Sequence, residues 1–592
     1  MARIKLLDRD AINKIAAGEV IERPASVVKE LIENSIDAGA TKILVEVIEG
    51  GKGLIRVTDD GCGMDREDAF IAFEKHATSK ISGSDDLDRI STLGFRGEAL
   101  SSIASVARSV EVVTKVRSED LEVTGTRLKI EDGNIVDVRD AGSPAGTRIE
   151  VKDLFRNVPA RRKYLRSGRA ELARIVDVVT SYAVINHSIS FDLFSGKKTL
   201  FKSVRSESWN DPILRILGSD VARNLIPIEA KSKLVSISGV VGRQTVTRSS
   251  PDWIMSYVNG RPIRSRALSG AVNEAYRTLL PTGRYPIAVL SLQIDPSMVD
   301  VNVHPAKMEV RFLREEEIVG MVTELIRLAL AKAEEKESGP GQMKALQRTE
   351  IGVSEGEGGD LAAEQRPESA GEGEGHAAAV DLQRTLPFTS GRERLELEVA
   401  TPGRLRVLGQ ALKLYIVAEG PEGLVLVDQH AAAERIRYET LAKKYASGAI
   451  SQGLIEPVTL ELSPKEVVML EDWGEVLAEM GFEIHPFGGR AYHVRSVPAT
   501  GSRLESPQAV HDVLRDLFAL GKVGTEATAK DEILKLLACR GSIKAGHEMA
   551  WKEMHDLLRE LFACENPKTC PHGRPTTVTI SSVQLEKIFG RR

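Results

Sequence analysis

The sequence predicts a multidomain α+β protein, in which two folded halves are separated by a flexible acidic linker. At 592 residues the chain is longer than one hydrophobic core usually supports, so we expect three or four domains. Between Phe312 and Phe388 there is no aromatic residue, and the segment 349–375 contains eight acidic residues, one basic residue and seven glycines. A segment of this composition cannot bury enough apolar surface to offset its ordering entropy.

Domain boundaries follow from shifts in local pattern. We expect a first domain over 1–210, because SESWNDPILRILG then interrupts a run of strand and helix signals. A second domain over 211–335 ends in EEEIVGMVTELIRLALAKAEEK, whose apolar residues recur at helical spacing. The linker covers 336–400, and the strand-like runs LKLYIVAE and GLVLVDQH open a third domain over 401–592. Within that domain, 460–530 is expected to be an inserted subdomain.

Composition excludes several classes of protein. No run approaches the roughly 18 consecutive apolar residues of a membrane helix, and the first residues lack the apolar core of a signal peptide. Four cysteines do not make a disulfide scaffold and suit a reducing cytoplasm, which we expect to be bacterial. The net charge of −5 leaves nucleic-acid binding open, because segment 155–170 contains six basic residues and no acidic one.

The segment SVVKELIENSIDAGA predicts a helix with two distinct faces. Val28, Leu31, Ile32 and Ser35 share the expected buried face, whereas Glu30 and Asn34 stack at i and i+4, with Asp37 about one turn further on. A carboxylate and a carboxamide placed this way can orient a water molecule and hold Mg²⁺. Taken alone, the pattern fits a solvated helix face equally well.

Three further segments favour a phosphate-binding site. LIRVTDDGCGM predicts a strand that ends at Asp59 and is followed by two glycines, which allow a ligand to approach the backbone. LGFRGEALSSI places Gly94 and Gly97 just before a helix, where backbone N–H groups bind phosphate readily. SPAGTRIEV supplies Gly146 and Thr147 ahead of another strand. One glycine pair carries little information, but the four elements in this order are specific.

This order resembles the ATPase superfamily shared by gyrase-type topoisomerases, heat-shock chaperones, histidine kinases and MutL proteins. ENSIDAGA, GFRGEAL, VNGRPI and VDVNVHPAKMEVRF look specifically like MutL proteins, and the resemblance covers about residues 1–330. It implies an N-terminal α/β-sandwich ATPase domain of the gyrase and MutL type, followed by a second α+β domain. It also implies that ATP closes a lid and brings the N-terminal halves of two chains together.

The resemblance assigns residue roles. Glu30 would be the general base that activates water, Asn34 would hold Mg²⁺, and Asp59 would accept from the adenine amino group. Lys307 would reach the γ-phosphate from the second domain. Such a site works mainly by positioning and charge neutralisation. The remaining implied nucleotide contacts are Gly61, Gly63, Thr78, Gly94, Phe95, Arg96, Gly97, Glu98 and Thr147.

Two basic clusters are candidate DNA contacts. They comprise Arg161, Arg162 and Lys163, and Arg261, Arg264 and Arg266. Contacts of this kind to phosphates bind DNA without sequence preference and weaken steeply with salt. The alternative for each cluster is a solvated helix face or a set of packing salt bridges.

The C-terminal half contains a candidate metal site. His430 and Glu434 are four residues apart on the helix that follows a strand ending at Asp428, which is the spacing of helical zinc ligands. By itself such a pair is more often a solvated hydrogen bond. Cys570 and His572 in CPHGRPT add a thiolate and an imidazole, which suit Zn²⁺ or a related divalent ion. Cys539 is either a further ligand or a small buried hydrophobic residue.

DQHAAAERIRYE resembles the D-Q-H-A-x-x-E-x-x-x-x-E motif of the nicking branch of MutL proteins, and ACR, CPHGRP and the terminal FGR resemble its accompanying motifs. The resemblance implies Zn²⁺ or Mn²⁺, with Glu434 bridging two ions and Asp428 assisting catalysis or orienting a ligand. The implied metal ligands are His430, Glu434, Cys539, Cys570 and His572.

The expected function is therefore that of a homodimeric DNA mismatch repair protein. In it, ATP switching couples a mismatch-recognition protein of the MutS type to nicking of the strand to be repaired. The first alternative is an ATPase matchmaker that recruits partners without cutting. A topoisomerase subunit fits only the ATP site, because no acidic metal-binding module for strand passage follows the second domain.

A replication sliding clamp is the remaining partner that the resemblance implies. The family position favours the segment QGLIEP, with Gln452, Leu454, Ile455 and Pro457. A second candidate lies in the linker, where QRTLPF fits the general clamp-peptide pattern Q-x-x-L-x-F. Its three key residues are Gln383, Leu386 and Phe388. The alternative is that Phe388 begins the C-terminal domain.

Overall fold

The computed structural model describes residues 21–74, 77–80, 93–94, 97–118, 123–248, 251–280, 284–300, 310–337, 405–448, 451–499, 507–519, 526–540 and 547–591. Several residues singled out in the sequence lie outside this part of the chain, namely Phe95, Arg96, Lys307, Gln383, Leu386 and Phe388.

The first domain contains an eight-stranded sheet in the order β5-β4-β3-β6-β2-β1-β7-β8, in which only β1 and β7 run parallel. Its strands are β1 (Lys42–Ile48), β2 (Leu54–Asp59), β3 (Ala107–Lys115), β4 (Gly125–Glu131), β5 (Asn134–Ala141), β6 (Gly146–Leu154), β7 (Ser190–Ser195) and β8 (Lys198–Lys202). Alternate residues of β1 are buried, as expected for a sheet with one face in the core.

Helices pack against this sheet. Helix α1 begins at Pro24, whose fixed φ suits a first helical position, and its apolar residues fall at helical spacing. Val28, Leu31 and Ile32 are buried in the same apolar cluster as the inner residues of β1. The helices are α1 (Pro24–Asp37), α2 (Arg66–Ile71), α3 (Ala99–Val106), α4 (Pro159–Tyr164), α5 (Gly168–Ile185), α6 (Asn210–Leu217) and α7 (Ser219–Arg223).

The second domain has its own sheet and core. Five strands pair in the order β13-β12-β15-β10-β9, and two helices, α8 (Arg266–Ala275) and α9 (Glu315–Glu337), share its apolar cluster. The strands are β9 (Leu225–Lys231), β10 (Val235–Gly242), β11 (Thr247–Arg248), β12 (Ile254–Val258), β13 (Arg261–Ile263), β14 (Tyr285–Pro286), β15 (Ala288–Ile294), β16 (Val299–Asp300) and β17 (Arg311–Phe312).

The C-terminal half is built on two sheets. Four strands pair as β18-β19-β20-β24, and a separate three-stranded sheet has the order β21-β23-β22. The strands are β18 (Arg406–Ala411), β19 (Tyr415–Gly420), β20 (Gly423–Asp428), β21 (Ser451–Glu461), β22 (Glu483–Gly488), β23 (Ala491–Pro498) and β24 (Thr577–Ser581). The helices are α10 (Gln429–Ala446), α11 (Pro464–Glu479), α12 (Pro507–Ala519), α13 (Glu526–Arg540), α14 (Trp551–Phe562) and α15 (Ser582–Ile588).

The two faces of the four-stranded sheet differ in burial. Val425 and Val427 point inward and pack with α10 and α14. On the opposite face, β-sheet pairing places Val417, Leu426 and Val578 side by side. Val417 and Leu426 are half-buried, and Val578 is 42% exposed. Among the described residues this row of apolar side chains is therefore only partly covered.

The segment predicted as an inserted subdomain contains β22, β23 and α11. Helix α11 begins with a capping box, in which Ser463 and Glu466 each bond the other's backbone N–H. Three ion pairs link α11 to the first domain. Lys465 lies 2.9 Å from Asp177, Asp472 lies 3.4 Å from Arg169, and Glu471 pairs with Lys198 of β8. In the part of the chain that the structure describes, no helix is both long and apolar enough to span a bilayer.

Candidate functional site

Helix α1 carries Glu30, the candidate general base, next to other charged side chains. The Lys29 ammonium lies 2.9 Å from Glu30 Oε1 and 3.1 Å from Glu33 Oε2. Glu33 is buried and also accepts a hydrogen bond from the Tyr182 hydroxyl. Burial raises the pKa of Glu33, with the nearby charge of Glu30 adding to it, although Lys29 and Tyr182 oppose the shift. Lys29 therefore ties the partly buried candidate base to a buried acid on the same helix.

Ser35 differs from its predicted role. The sequence places it with the apolar residues of α1, but its hydroxyl donates to Asp59 Oδ2 at 2.8 Å and so joins the helix to the end of β2. Asp59 Oδ1 accepts from the backbone N–H of Gly61 at 2.9 Å and of Thr147 at 3.3 Å. Burial raises the pKa of Asp59, while these hydrogen bonds act in the opposite direction. The carboxylate is thus fixed in orientation by three donors.

Lys80 is a site residue that the sequence analysis missed, although it lies two residues after Thr78, one of the implied nucleotide contacts. Its ammonium is 3.0 Å from Asn34 Oδ1 and 2.5 Å from Asp37 Oδ2. Asp37 also accepts from the backbone N–H of Leu93 at 2.9 Å and of Gly94 at 3.0 Å. The sequence shows a basic residue four positions after His76, but no local pattern connects this residue with α1.

Glycine conformations shape the same region. Gly146 has φ +119°, and a Cβ there would lie 2.1 Å from the carbonyl oxygen of Asp59. Gly63 has φ +71°, and a Cβ would lie 2.0 Å from the carbonyl oxygen of Lys115. Neither position can accommodate a side chain without backbone movement. Gly97 is likewise left-handed and close to Ala77, so the backbone around the site depends on glycine.

The structure places the other predicted nucleotide contacts nearby. Thr147 Oγ1 lies 3.0 Å from Thr114 Oγ1, and Thr78 Oγ1 accepts from the Lys80 backbone N–H at 3.2 Å. Gly61 lies two residues after Asp59 in the turn, and its N–H donates to that carboxylate. Glu98 is the N-cap residue of α3.

The basic clusters occupy two separate elements. Arg161, Arg162 and Lys163 form the last turn of α4, where Arg162 and Lys163 are exposed. Within the described residues neither of these two makes an ion pair. Arg264 and Arg266 are exposed at the start of α8, and Arg261 is partly buried on β13.

Asp428 joins the C-terminal sheet to the helix that carries the metal-ligand pair. It is the N-cap of α10, and its Oδ1 accepts from the backbone N–H groups of His430 and Ala431, each at 2.9 Å. A capping carboxylate satisfies two of the helix's unpaired donors and fixes the first turn. Asp428 therefore fixes the backbone position from which the His430 side chain extends.

The five predicted metal ligands converge into two groups that share Glu434. The first ligand group is His430, Glu434 and Cys539, and the second ligand group is Glu434, Cys570 and His572. Within each group the ligand atoms all lie within 4.8 Å of one another. His430 Nε2 is 3.3 Å from Glu434 Oε1, and His572 Nδ1 is 3.3 Å from Glu434 Oε2. Each carboxylate oxygen thus faces a different group.

The pKa shifts of Glu434 and of Cys564, a cysteine outside both ligand groups, run in opposite directions. Burial acts to raise the pKa of Glu434, but hydrogen bonds with Cys539 and Cys570 and the charges of His430 and His572 outweigh it, so the pKa is lowered. By contrast, burial and the charge of Glu439 raise the pKa of Cys564 to about 11. Cys564 belongs to neither ligand group and is a thiol at neutral pH.

Comparison with known proteins identifies the class. Residues 21–145 match the model for histidine kinase-, DNA gyrase B- and HSP90-like ATPases, in agreement with the sheet, α1 and the glycine turns. The same chain matches the DNA mismatch repair protein C-terminal domain over 213–331 and the MutL C-terminal dimerisation domain over 408–549. The first domain is therefore an ATPase domain of this class.

The relatives agree over their full lengths. A DNA mismatch repair protein MutL of Methanothrix thermoacetophila is 50% identical over 592 residues, with 100% of each chain covered. MutL proteins of Symbiobacterium thermophilum and Methanoculleus marisnigri are 40% and 41% identical, again over 100% of each chain. The chain belongs to the MutL family of DNA mismatch repair proteins.

Proposed function

We propose that this protein couples an ATP-driven conformational switch to metal-dependent nicking of the DNA strand to be repaired. The main observation in favour of nuclease activity is the pair of ligand groups that share Glu434. A carboxylate between two histidine–cysteine sets matches the donor chemistry of a two-ion site better than that of a solvated hydrogen bond.

The histidine and cysteine donors fit Zn²⁺, and the family resemblance implies Mn²⁺ as the alternative ion. His430 and Cys539 would hold one ion, Cys570 and His572 the other, and Glu434 would contact both. Two such ions supply a nucleophile at neutral pH and stabilise both oxygens of an in-line phosphodiester displacement. The protein contributes position: Asp428 fixes the first turn of α10, from which His430 extends.

In the ATPase domain, we assign Glu30 as the general base, Asn34 as the Mg²⁺ ligand and Asp59 as the acceptor for the adenine amino group. The Asp59 carboxylate suits this role because three donors hold its orientation. The Lys80 ammonium donates to Asn34 Oδ1. A Mg²⁺ ion that bound to this oxygen would displace the ammonium from it. The other nucleotide contacts keep the assignments that the family resemblance implies.

Partner contacts are proposed from exposure and charge. The exposed cations of α4 and α8 suit DNA phosphates. For the clamp, Ile455 is fully exposed, and it lies in the irregular part of β21 between Gly453 and Val458. A protruding apolar side chain of this kind suits insertion into a hydrophobic pocket. A mismatch-recognition protein of the MutS type is the expected upstream partner.

The homodimer is assigned to the apolar face of the C-terminal sheet. Its row of Val417, Leu426 and Val578 is only partly covered by the described residues, and the matching family model is that of a dimerisation domain. Two copies related by a twofold axis would bury this face against each other.

We expect Glu30→Ala to retain nucleotide binding and to lower ATP turnover by about 100-fold or more, because a general base contributes roughly that factor. Asn34→Ala should weaken nucleotide binding through loss of the Mg²⁺ ligand. Steady-state hydrolysis and nucleotide titration provide the measurements, with the exposed Glu67→Ala on α2 as the matched control. Near-parental turnover in Glu30→Ala would mean that another group is the base.

Asp428→Asn tests the nuclease without removing the helix cap, because asparagine also caps helices well. We expect relaxation of supercoiled plasmid with Mn²⁺ to fall strongly, while Asp556→Asn in the same domain leaves it unchanged. Joint replacement of Cys570 and His572 should lower the zinc content of the purified protein. If the parent protein never nicks DNA under these conditions, the non-cutting matchmaker is the better assignment.

The clamp assignment predicts that Gln452→Ala/Ile455→Ala removes clamp-stimulated nicking. Leu386→Ala/Phe388→Ala should reduce it less, because a linker peptide would act mainly as a second tether that raises effective concentration. Nicking is measured with and without loaded clamp for each pair. Loss with the linker pair alone would reverse the ranking of the two segments, and no loss with either would reject both.

Val578→Asp should convert the protein to a monomer at concentrations at which the parent is dimeric, because it places a charge in the proposed interface. Light scattering after gel filtration measures the mass. Val136→Asp is the matched control, since Val136 is 52% exposed on the sheet of the first domain. An unchanged dimer in Val578→Asp would exclude this face.

A further inference from the structure

Helix α10 contacts every chain segment that brings a ligand to the candidate metal site. It carries His430 and Glu434 itself. The other ligands lie far along the chain: Cys539 on α13, and Cys570 and His572 in the loop between α14 and β24 (residues 563–576, the ligand loop). Beyond Glu434, further side chains of α10 reach these two segments, namely Arg435, Tyr438, Glu439 and Lys443. The Lys443 ammonium lies 3.7 Å from Glu565 Oε1 at the surface.

Glu439 holds the first part of the ligand loop. Its Oε2 accepts from the backbone N–H of Glu565 at 2.7 Å, and its Oε1 accepts from that of Asn566 at 3.1 Å. Glu439 is buried, and both of its oxygens are used in this way. It belongs to neither ligand group. The carboxylate therefore acts on the loop backbone and not as a metal ligand.

Arg435 holds the loop at its other side. Its Nε donates to the carbonyl oxygen of Thr569 at 2.6 Å, one residue before Cys570. The Arg435 guanidinium is also buried and lies 3.7 Å from Glu439 Oε1, so the two side chains support each other. Between them, Arg435 and Glu439 fix residues 565–569, which lead directly into the second ligand group.

Tyr438 does the same for the helix that carries Cys539. Its hydroxyl donates to Asp531 Oδ1 at 2.5 Å, and Asp531 Oδ2 lies 2.8 Å from the Lys535 ammonium. Asp531 is eight residues, about two helical turns, before Cys539 on α13. Tyr438 and Arg435 also contact each other, with the guanidinium 5.5 Å from the ring centre.

We propose that Arg435, Tyr438 and Glu439 are positioning residues that hold Cys539, Cys570 and His572 against Glu434 independently of any bound ion. The inference rests on the proposed nuclease site. Ligands from three separate segments would otherwise have to be ordered on metal binding, and this ordering would lower the affinity. Groups that orient metal ligands commonly change metal affinity by about 10–100-fold.

Glu439→Gln is the direct test, because glutamine keeps the size but can accept only with one oxygen and turns an amide donor toward the loop. In the full chain we expect zinc affinity, measured by competition with a chromophoric chelator, to fall about 10–100-fold. In metal-free protein, hydrogen exchange at the amides of Glu565 and Asn566 should become faster. Glu565→Gln is the matched control, since it alters the same loop and leaves its backbone N–H in place.

Tyr438→Phe provides a second variant in case Glu439→Gln is poorly folded. We expect weaker zinc binding, whereas Tyr445→Phe should leave the affinity unchanged. Tyr445 is on the same helix, but its hydroxyl bonds to the carbonyl of Met480 at 3.0 Å, away from the site. Thermal unfolding of the metal-free variants separates a local effect from a general loss of stability.

The outcomes are distinguishable. The positioning role would be overturned if Glu439→Gln changed neither zinc affinity nor hydrogen exchange. The metal site itself would still stand if the joint replacement of Cys570 and His572 lost zinc. A parent protein that binds no zinc or manganese through these ligands would overturn the proposed function and this inference together.

Discussion

The buried carboxylate of Glu434 is the constraint around which the C-terminal half is organised. At 2% exposure it cannot rely on water, and an uncompensated buried charge costs on the order of several kcal/mol. Two imidazoles and two thiols lie close to its two oxygens and compensate the charge. His430 is on α10 itself, whereas the other three groups lie on α13 and in the ligand loop, which are distant in sequence. Satisfying one charge therefore helps to determine how these segments pack.

The ATPase site follows the same logic with a different result. Asp59 is also a carboxylate removed from water, but it is satisfied by neutral donors, namely one hydroxyl and two backbone N–H groups. Such donors fix its orientation and leave it able to accept from a ligand. Glu33, in turn, is compensated by Lys29 and Tyr182. Buried acids therefore serve three purposes in this chain: assembling ligands, orienting an acceptor, and anchoring the helix of the candidate base.

The two candidate sites are alike in what their principal helices present. In α1 and in α10, two candidate site residues stand four positions apart on a helix that lies against a sheet. The helix provides rigidity, and the neighbouring segments provide the groups that complete the site. Within the described residues, each half assembles its candidate site from its own side chains.

The sequence by itself determined the features that depend on local spacing: the apolar face of α1, the i and i+4 pairs Glu30–Asn34 and His430–Glu434, and the glycines two and four residues after Asp59. Only the tertiary structure decided which distant groups meet. Ser35 reads as a core position but bonds Asp59, Lys80 reaches α1 from 46 residues away, and Glu439 binds a loop 126 residues later. Side-chain spacing within one element follows from backbone geometry, whereas contacts between elements depend on how whole segments pack.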